Sequence, residues 1–431
     1  MTTLNEMKDT LRELGLNPDT FCFAPYINVD LDQTGETYVC CASKESIGNW
    51  KTDKIKDQYN SESVKMLRQD LATGTKHKNC QSCWFAEDKN SKSTRIDSFN
   101  DAIEHIDNLS EFCNNLTNYS SIDNIKRMEI RLSALCNLKC AHCSPKYSTK
   151  WINALTKKEN FDFFKDYDEL DITIDHTNIN QYFKTSLTSN SKHEADIKEM
   201  LSKTKLIQFA GGEPLLSPEH TSWLEFLVHD AKTADTQIIE YNTNLMIKDI
   251  EQFFPLWKQF KSVTLRTSID TDFNSIEYFR ANSNKELLID NIQKIQHEFT
   301  ENFDNIGTVT FNMLSALRYK NIMHDWIDHN LNFHCSIVHN HPYSCLELPN
   351  ALQAKSIHEM QWCRDNVHRY TTNKKFIRRF QKYTDYCLNF LQSHKASNTF
   401  SESTINYIKF FDKTTNKSIL EYFPEFAEYV K

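Results

Sequence analysis

Met128-Glu129-Ile130-Arg131-Leu132-Ser133-Ala134-Leu135-Cys136-Asn137-Leu138-Lys139-Cys140-Ala141-His142-Cys143 is the stretch on which the reading of this 431-residue chain turns. Met128, Ile130 and Leu132 alternate with charged residues, the period-two pattern of a β-strand, and the strand runs directly into Cys136-x3-Cys140-x2-Cys143. Three closely spaced thiolates on one loop can hold three irons of a [4Fe-4S] cube, whereas a cube ligated wholly by protein takes four. One iron is then left open, and an open position is what a metal needs to take up and activate a substrate group. The same three cysteines also suit a structural zinc site, or are buried free thiols.

Working outward, further apolar strand segments are expected at Lys205 to Ala210, Thr236 to Tyr241, Ser262 to Ile269, Gly307 to Met313 and Leu331 to Val338. Helical text lies between them at 218–232, 249–260, 285–299 and 319–330, so strand and helix alternate over six strands. Such alternation favours parallel strands joined by crossover helices, an α/β fold. The first gap is long: 150–203 is polar with a Phe-rich patch at Phe161 to Phe164 and reads as an insertion with some helix. Beyond Pro349 the pattern is helical to the end, with periodic apolar positions at Ile377, Phe380, Tyr383, Cys387 and Phe390.

Phe209-Ala210-Gly211-Gly212-Glu213-Pro214 ends the second strand, where two glycines allow close backbone approach. Taken alone it is a tight turn into a helix. Tyr241-Asn242-Thr243-Asn244 ends the third strand, Thr267-Ser268-Ile269-Asp270 ends the fourth, and Arg280 follows. Singly these are ordinary turn or cap residues, but ligands of parallel barrels gather at the carboxyl edge of the strands. With the cysteine loop first and these strand ends after it, residues 126–340 resemble the radical S-adenosylmethionine superfamily.

That resemblance implies a partial (β/α)6, TIM-like barrel over 126–345, interrupted by the insertion at 150–203. It implies that Cys136, Cys140 and Cys143 hold a [4Fe-4S] cluster whose open iron binds S-adenosylmethionine. Gly211, Gly212, Glu213, Asn242, Asn244, Ser268, Asp270 and Arg280 would contact that cofactor, Arg280 as a carboxylate partner. The reaction implied is reductive cleavage to a 5′-deoxyadenosyl radical that takes a hydrogen atom from a substrate, for oxidation or crosslinking of a peptide or small molecule. An external electron donor such as flavodoxin or ferredoxin is implied as well. The chain departs from the commoner family form in carrying His142, where an aromatic residue precedes the third cysteine.

Ahead of the barrel, Cys22-x12-Gly35-x4-Cys40 is followed by Cys41, Gly48, Gly74 and Cys80-x2-Cys83-Trp84. Cys22, Cys40, Cys80 and Cys83 supply four thiolates, enough for a closed cube, and the Gly35 spacing favours Cys40 over Cys41. The pattern is similar to the twitch or SPASM auxiliary-cluster domains, which in the family follow the barrel, and it implies a second [4Fe-4S] cluster. A zinc ribbon is the competing reading. The expected organisation is an auxiliary-cluster module at 1–90, a linker with helical segments at 91–125, the barrel at 126–345 and a helical extension at 346–431. Cys113, Cys335, Cys345, Cys363 and Cys387 read as buried apolar thiols, with Cys345, near His339 and His341, the exception to examine.

Composition narrows the remaining classes. Thirteen cysteines without an apolar leader segment after Met1 argue for metal or redox chemistry in the cytoplasm and against a disulfide scaffold. Fifty basic against 58 acidic residues, a net charge of -8, leave no cationic run for nucleic acid, and no apolar run has the length of a membrane span. Two non-enzymatic readings stay open: an iron-sulfur electron carrier, and a zinc-stabilised interaction protein. A carrier needs the clusters but not Gly211-Gly212-Glu213-Pro214 or polar strand ends.

Overall fold

The computed structural model describes residues 3–88, 93–116, 124–165, 176–180, 194–338 and 341–430. The chain forms two compact units: Met1–Ser133 with Thr185–Glu240 and Pro255–Val263, and Ala134–Lys184 with Tyr241–Phe254 and Thr264–Lys431.

In the first unit the strands are β1 (Asn28–Leu31), β2 (Glu36–Tyr38), β3 (Gly48–Asn49), β4 (Arg127–Arg131) and β6 (Leu206–Ala210), joined by the start of β7 (Ile238–Thr243). Their order is β3-β2-β1-β4-β6-β7. β4 is parallel to β6 and also to β1, with Asp30 opposite Glu129 and Glu129 opposite Gln208. β2 returns antiparallel to β1, and β3 antiparallel to β2. A front segment separate from the strand at 126 was the expectation from the text. In the structure β1 lies directly beside β4, because the apolar alternation of Val29 and Leu31 matches that of Met128 and Ile130 and all four side chains are buried.

The other face of these strands carries Asn28, Asp30, Arg127, Glu129, Arg131 and Gln208. Alternation with charge ordinarily means one wet face. Here the charged face is closed: Asp30 is 1% exposed and Glu129 7%. The charges pair off: Arg131 with Asp30 on β1 and with Glu129 along β4 itself, and Arg127 with Asp101 on helix Thr94–His105 and with Glu240 on β7.

The second unit holds the short antiparallel pair β5 (Lys139–Cys140) and β9 (Arg280–Ala281). It also has the end of β7, most of β8 (Ser262–Ser268), β10 (Phe303–Phe311) and β11 (Asn332–Ile337), in the order β7-β8-β10-β11, with β10 and β11 parallel. Helix Lys285–Glu298 starts where the Asn284 side chain accepts the Leu287 N–H, and it buries Leu288, Asn291, Ile292 and Ile295, a stripe at helical spacing. Helix Lys374–Gln392 buries Phe376, Phe380, Tyr383, Cys387 and Leu391, with Phe376 turned inward and Ile377 only half-buried. Each such aromatic side chain contributes roughly 2–3 kcal/mol of transfer free energy.

All six expected strands are present, and the fold is mixed α/β, with β1, β4 and β6 parallel in the first unit and β10 and β11 parallel in the second. No helix among the described residues is long and apolar enough to cross a membrane.

Candidate metal centres

The loop that follows β4 is built inside the second unit. Ala134 O accepts the Thr149 N–H, Ser148 Oγ donates to Leu138 O, and Trp151 Nε1 donates to Cys140 O, so helix Thr149–Ala154 braces the loop from behind. β5–β9 pairing sets Cys140 opposite Arg280, and the Ala141 N–H donates to Phe279 O. The C-terminal helix Glu402–Thr415 takes part too: Tyr407 Oη donates to Ala141 O, and Lys139 donates to Thr414 O. Nothing in the local text of that helix marks this role. Its aromatic spacing reads only as a buried face, and Phe163 and Trp151 stack on Phe410 there.

Cys136 and Cys140 are buried and Cys143 half-buried. Arg280 Nη1 donates to Cys140 Sγ at 3.6 Å and Asn244 Nδ2 to Cys136 Sγ at 3.8 Å. Asn244 is held in turn by Asn137 Oδ1 at 2.9 Å, and the Met246 N–H caps its Oδ1. Arg280 Nη2 pairs with Asp270 Oδ2 at 2.5 Å, and the Thr310 N–H donates to Asp270 Oδ1 at 2.7 Å. Asp270 itself sits at φ +68°, the left-handed turn conformation that Asp tolerates better than most residues.

Burial pushes the Cys140 thiol up to about 11 in spite of Arg280. Burial and the neighbouring Cys140 and Cys136 raise Cys143 well above the usual thiol range. Asp270 goes the other way: burial would raise its carboxyl, but Arg280 and His142 beside it hold it below the ordinary carboxylate value. His142 stacks on Phe279, ring centroids 5.0 Å apart and planes at 12°. Its Nε2 is 3.7 Å from Asp270 Oδ2, yet burial lowers its pKa and favours the neutral ring.

Of the other residues singled out, Asn242 lies half-buried on β7 and Ser268 half-buried at the end of β8. Gly211, Gly212 and Glu213 belong to the first unit, at the end of β6. Gly211 has φ +110°, and a Cβ there would come within 3.0 Å of Ser133 O, so only glycine fits. The Gly212 N–H donates to that same carbonyl at 2.8 Å. Glu213 is buried and caps the following turn through the Leu215 N–H.

In the first unit Cys22, Cys40, Cys80 and Cys83 line one cavity together with Ala24, Trp84 and Arg95. Burial raises every one of these thiols, and repulsion from neighbouring thiols adds to it at Cys40, Cys80 and Cys83, the last reaching about 12. Four clustered thiols, Cys22 and Cys83 buried and Cys40 and Cys80 half-buried, cannot ionise together in the absence of added cationic charge, and iron in their midst would supply it. The donor set therefore fits a closed cluster. In the second unit the donor set fits an open one: three thiols, N–H donors on two of them, and a buried Arg280 Nε that has no protein partner.

Cys41 is exposed and lines a different cavity, with Asn28, Asp30 and Glu129. Sequence reasoning missed that group: Asp30 and Glu129 stand far apart in the text and meet only through strand register. Burial and Glu129 carry the Asp30 carboxyl up to about 8. Cys113, Cys335, Cys345, Cys363 and Cys387 are all buried. Cys335 and Cys387 have sulfurs 3.4 Å apart. His341 accepts the Tyr343 N–H and packs against Tyr343 and Tyr407, and His339 lies outside the described residues.

Residues 22–84 match the family model of SPASM, an iron-sulfur cluster-binding domain, so the front segment carries a domain of that kind. No curated protein matches the chain. Among solved structures, native anSMEcpe with bound AdoMet aligns at TM-score 0.39 and 14% identity, over 56% of this chain and 62% of that one. Streptococcus suis SuiB aligns at 0.34 and 12%, over 74% and 60%. SuiB bound to the precursor peptide SuiA aligns at 0.30 and 13%, over 84% and 68%. The chain spans about three fifths of the length of the first of these neighbours, 61% for the tagged anSMEcpe.

Proposed function

We propose that this chain is a radical S-adenosylmethionine enzyme built on a partial (β/α)6 barrel, with an auxiliary iron-sulfur cluster in its front segment. Cys136, Cys140 and Cys143 would hold the catalytic [4Fe-4S] cluster, and Cys22, Cys40, Cys80 and Cys83 the second. The observation that carries the reading is the incomplete donor set: three thiols on one braced loop, with Asn244 and Arg280 donating to two of the sulfurs. When bound, the cluster and S-adenosylmethionine supply one-electron cleavage of the cofactor and, from it, removal of a hydrogen atom from the substrate.

The chain's own residues bind, orient and insulate. Asn244 and Arg280 stabilise thiolate over thiol at Cys136 and Cys140, which counters the burial that disfavours it. Asp270 fixes the plane of Arg280 and keeps its charge local. Gly211 allows backbone to approach a ligand at the end of β6, and Asn242, Glu213, Gly212 and Ser268 are the remaining cofactor contacts we assign. The stack of His142 on Phe279, backed by Tyr343, closes one side of the loop with aromatic surface and excludes water. A peptide or small molecule is the substrate, oxidised or crosslinked, and a flavodoxin- or ferredoxin-type protein is the electron donor.

The test is anaerobic reconstitution with iron, sulfide, reductant and S-adenosylmethionine, scored for 5′-deoxyadenosine and for about eight irons per chain, two cubes. A full iron complement with no 5′-deoxyadenosine overturns the enzyme in favour of an electron carrier. Stoichiometric zinc without sulfide overturns both in favour of a metal-stabilised interaction protein.

A further inference from the structure

The closed polar face of β1 and β4 leaves a feature that the two cysteine groups do not use. A cavity of about 70 Å³ is lined by Asn28, Asp30, Cys41, Asp97, Asp101 and Glu129, among others. Within it Cys41 Sγ and one carboxylate oxygen each from Asp30 and Glu129 lie within 4.8 Å of one another, close enough for one ion to reach all three. We propose that Asp30, Cys41 and Glu129 bind a divalent first-row transition metal, with Asn28 as a fourth oxygen donor.

Two independent observations point into the site. Asn28 is 6% exposed and its Oδ1 is buried with no partner. Asp30 is 1% exposed and its Oδ2 is likewise buried without a hydrogen-bond partner. A buried acceptor left empty costs about 1–3 kcal/mol, so two on one face of β1 that line one cavity are not neutral packing. An amide oxygen and a carboxyl oxygen without partners on one cavity wall are met by a cation, by a water or by the carboxyl's own proton, which a metal displaces to solvent on binding.

Arg131 does not fill that need. Its guanidinium takes Asp30 Oδ1 at 2.5 Å and Glu129 Oε1 at 2.7 Å, which leaves the second oxygen of each carboxylate for a ligand. That is how a ligating carboxylate is normally held, with its other oxygen hydrogen-bonded from behind. Arg127, the other cation at the cavity, is engaged by Asp101 and Glu240. Four carboxyl side chains, Asp30, Asp97, Asp101 and Glu129, line the cavity.

One thiolate with carboxylate and amide oxygens is a borderline-soft set, suited to zinc or ferrous iron and poorly suited to calcium or magnesium, which prefer oxygen alone. The cavity has room for the ion and for a water that completes its coordination. Exposed Cys41 gives it a way in. On binding, the metal takes the place of the Cys41 proton, which leaves to solvent.

The experiment uses the full-length reconstituted chain, titrated anaerobically with Co²⁺ and read by the sulfur-to-cobalt charge-transfer band. The wild type is expected to develop the band with about one equivalent bound. C41S should lose it and keep the iron-sulfur absorbance. Because C41S can also fail by misfolding, E129Q provides a second reading: the band stays, and apparent Co²⁺ affinity falls at least about tenfold. The proposal is overturned by a wild type without the band, by a band that survives C41S, or by an E129Q affinity equal to wild type. It is also overturned if C41S loses the iron-sulfur absorbance, which would make Cys41 a cluster ligand.

Discussion

Each thiol group has a buried arginine-carboxylate pair beside it, and the two pairs do different work. At the loop, Arg280 pairs with Asp270 and donates to Cys140 Sγ. At the front, the Arg95 guanidinium pairs with Glu87 and donates to the carbonyls of Pro18 and Phe21, so it holds the backbone next to Cys22, while its charge favours thiolate at Cys22 and Cys80 through space. One guanidinium donates directly to a sulfur; the other is bonded to the scaffold and reaches the thiols by its field. The thiol count follows the same division. Four thiols would close a cluster that needs only to be held, whereas three would leave an open position, beside which Asn244 and Arg280 donate to sulfur.

The strongest way to break this contrast is to remove the open site. Cys136, Cys140 and Cys143 replaced together by Ala should abolish 5′-deoxyadenosine formation and leave the front cluster's absorbance, since the groups share no ligand; a triple variant that still forms the product would sink the catalytic assignment. Cys80 and Cys83 replaced by Ala should do the converse. About half of the iron is expected to be lost, with cofactor cleavage retained and uncoupled from product, as measured by iron content and the ratio of 5′-deoxyadenosine to substrate turnover.

The arginines then sharpen it. Arg280→Met strands Asp270, which is fully buried, and should cost about 3–5 kcal/mol together with a shift in the reduction potential of the loop cluster. Arg95→Met should cost a similar amount by denaturation and shift the front cluster's potential less than Arg280→Met shifts the loop cluster's, since its guanidinium donates to backbone carbonyls and not to a sulfur. Equal potential shifts in the two variants would erase the distinction drawn above.

The smallest effect separates the acid response of the fold from that of the clusters. His220 is fully buried against Phe209, and burial lowers its pKa to about 3 from the ordinary imidazole value of about 6.5. The unfolded chain therefore binds more protons between those values. The stabilisation is present above about pH 6.5 and falls as pH drops towards 3, by at most about 1.4 kcal/mol per unit. Denaturation midpoints from pH 7 to 5.5 should slope less in His220→Leu than in wild type. Parallel slopes would show that His220 does not set the acid limb.

Much of this was legible in the chain. Strand β4 and the cysteine loop were plain because a period of two and a ligand spacing are both local patterns, and the later strands were found by the same alternation. Gly211 announced itself because only a residue without Cβ tolerates both φ +110° and a carbonyl at 3.0 Å. The burial of Glu129 and Arg131 was not legible. Alternating charge looks the same whether the polar face meets water or lines a closed cavity, and only the neighbouring strands decide which. The support of the cysteine loop by Tyr407 was equally hidden, since 266 residues separate it from Ala141.

By itself, then, the chain's text determined where the thiols cluster and where the strands run, because thiol spacing and side-chain alternation are properties of a few consecutive residues. Tertiary structure alone decided which side chains face those thiols and which carboxylates share a cavity with Cys41. Those encounters depend on the register of β1 against β4 and on the return of the last helices to the loop, contacts between distant segments whose geometry no short stretch encodes.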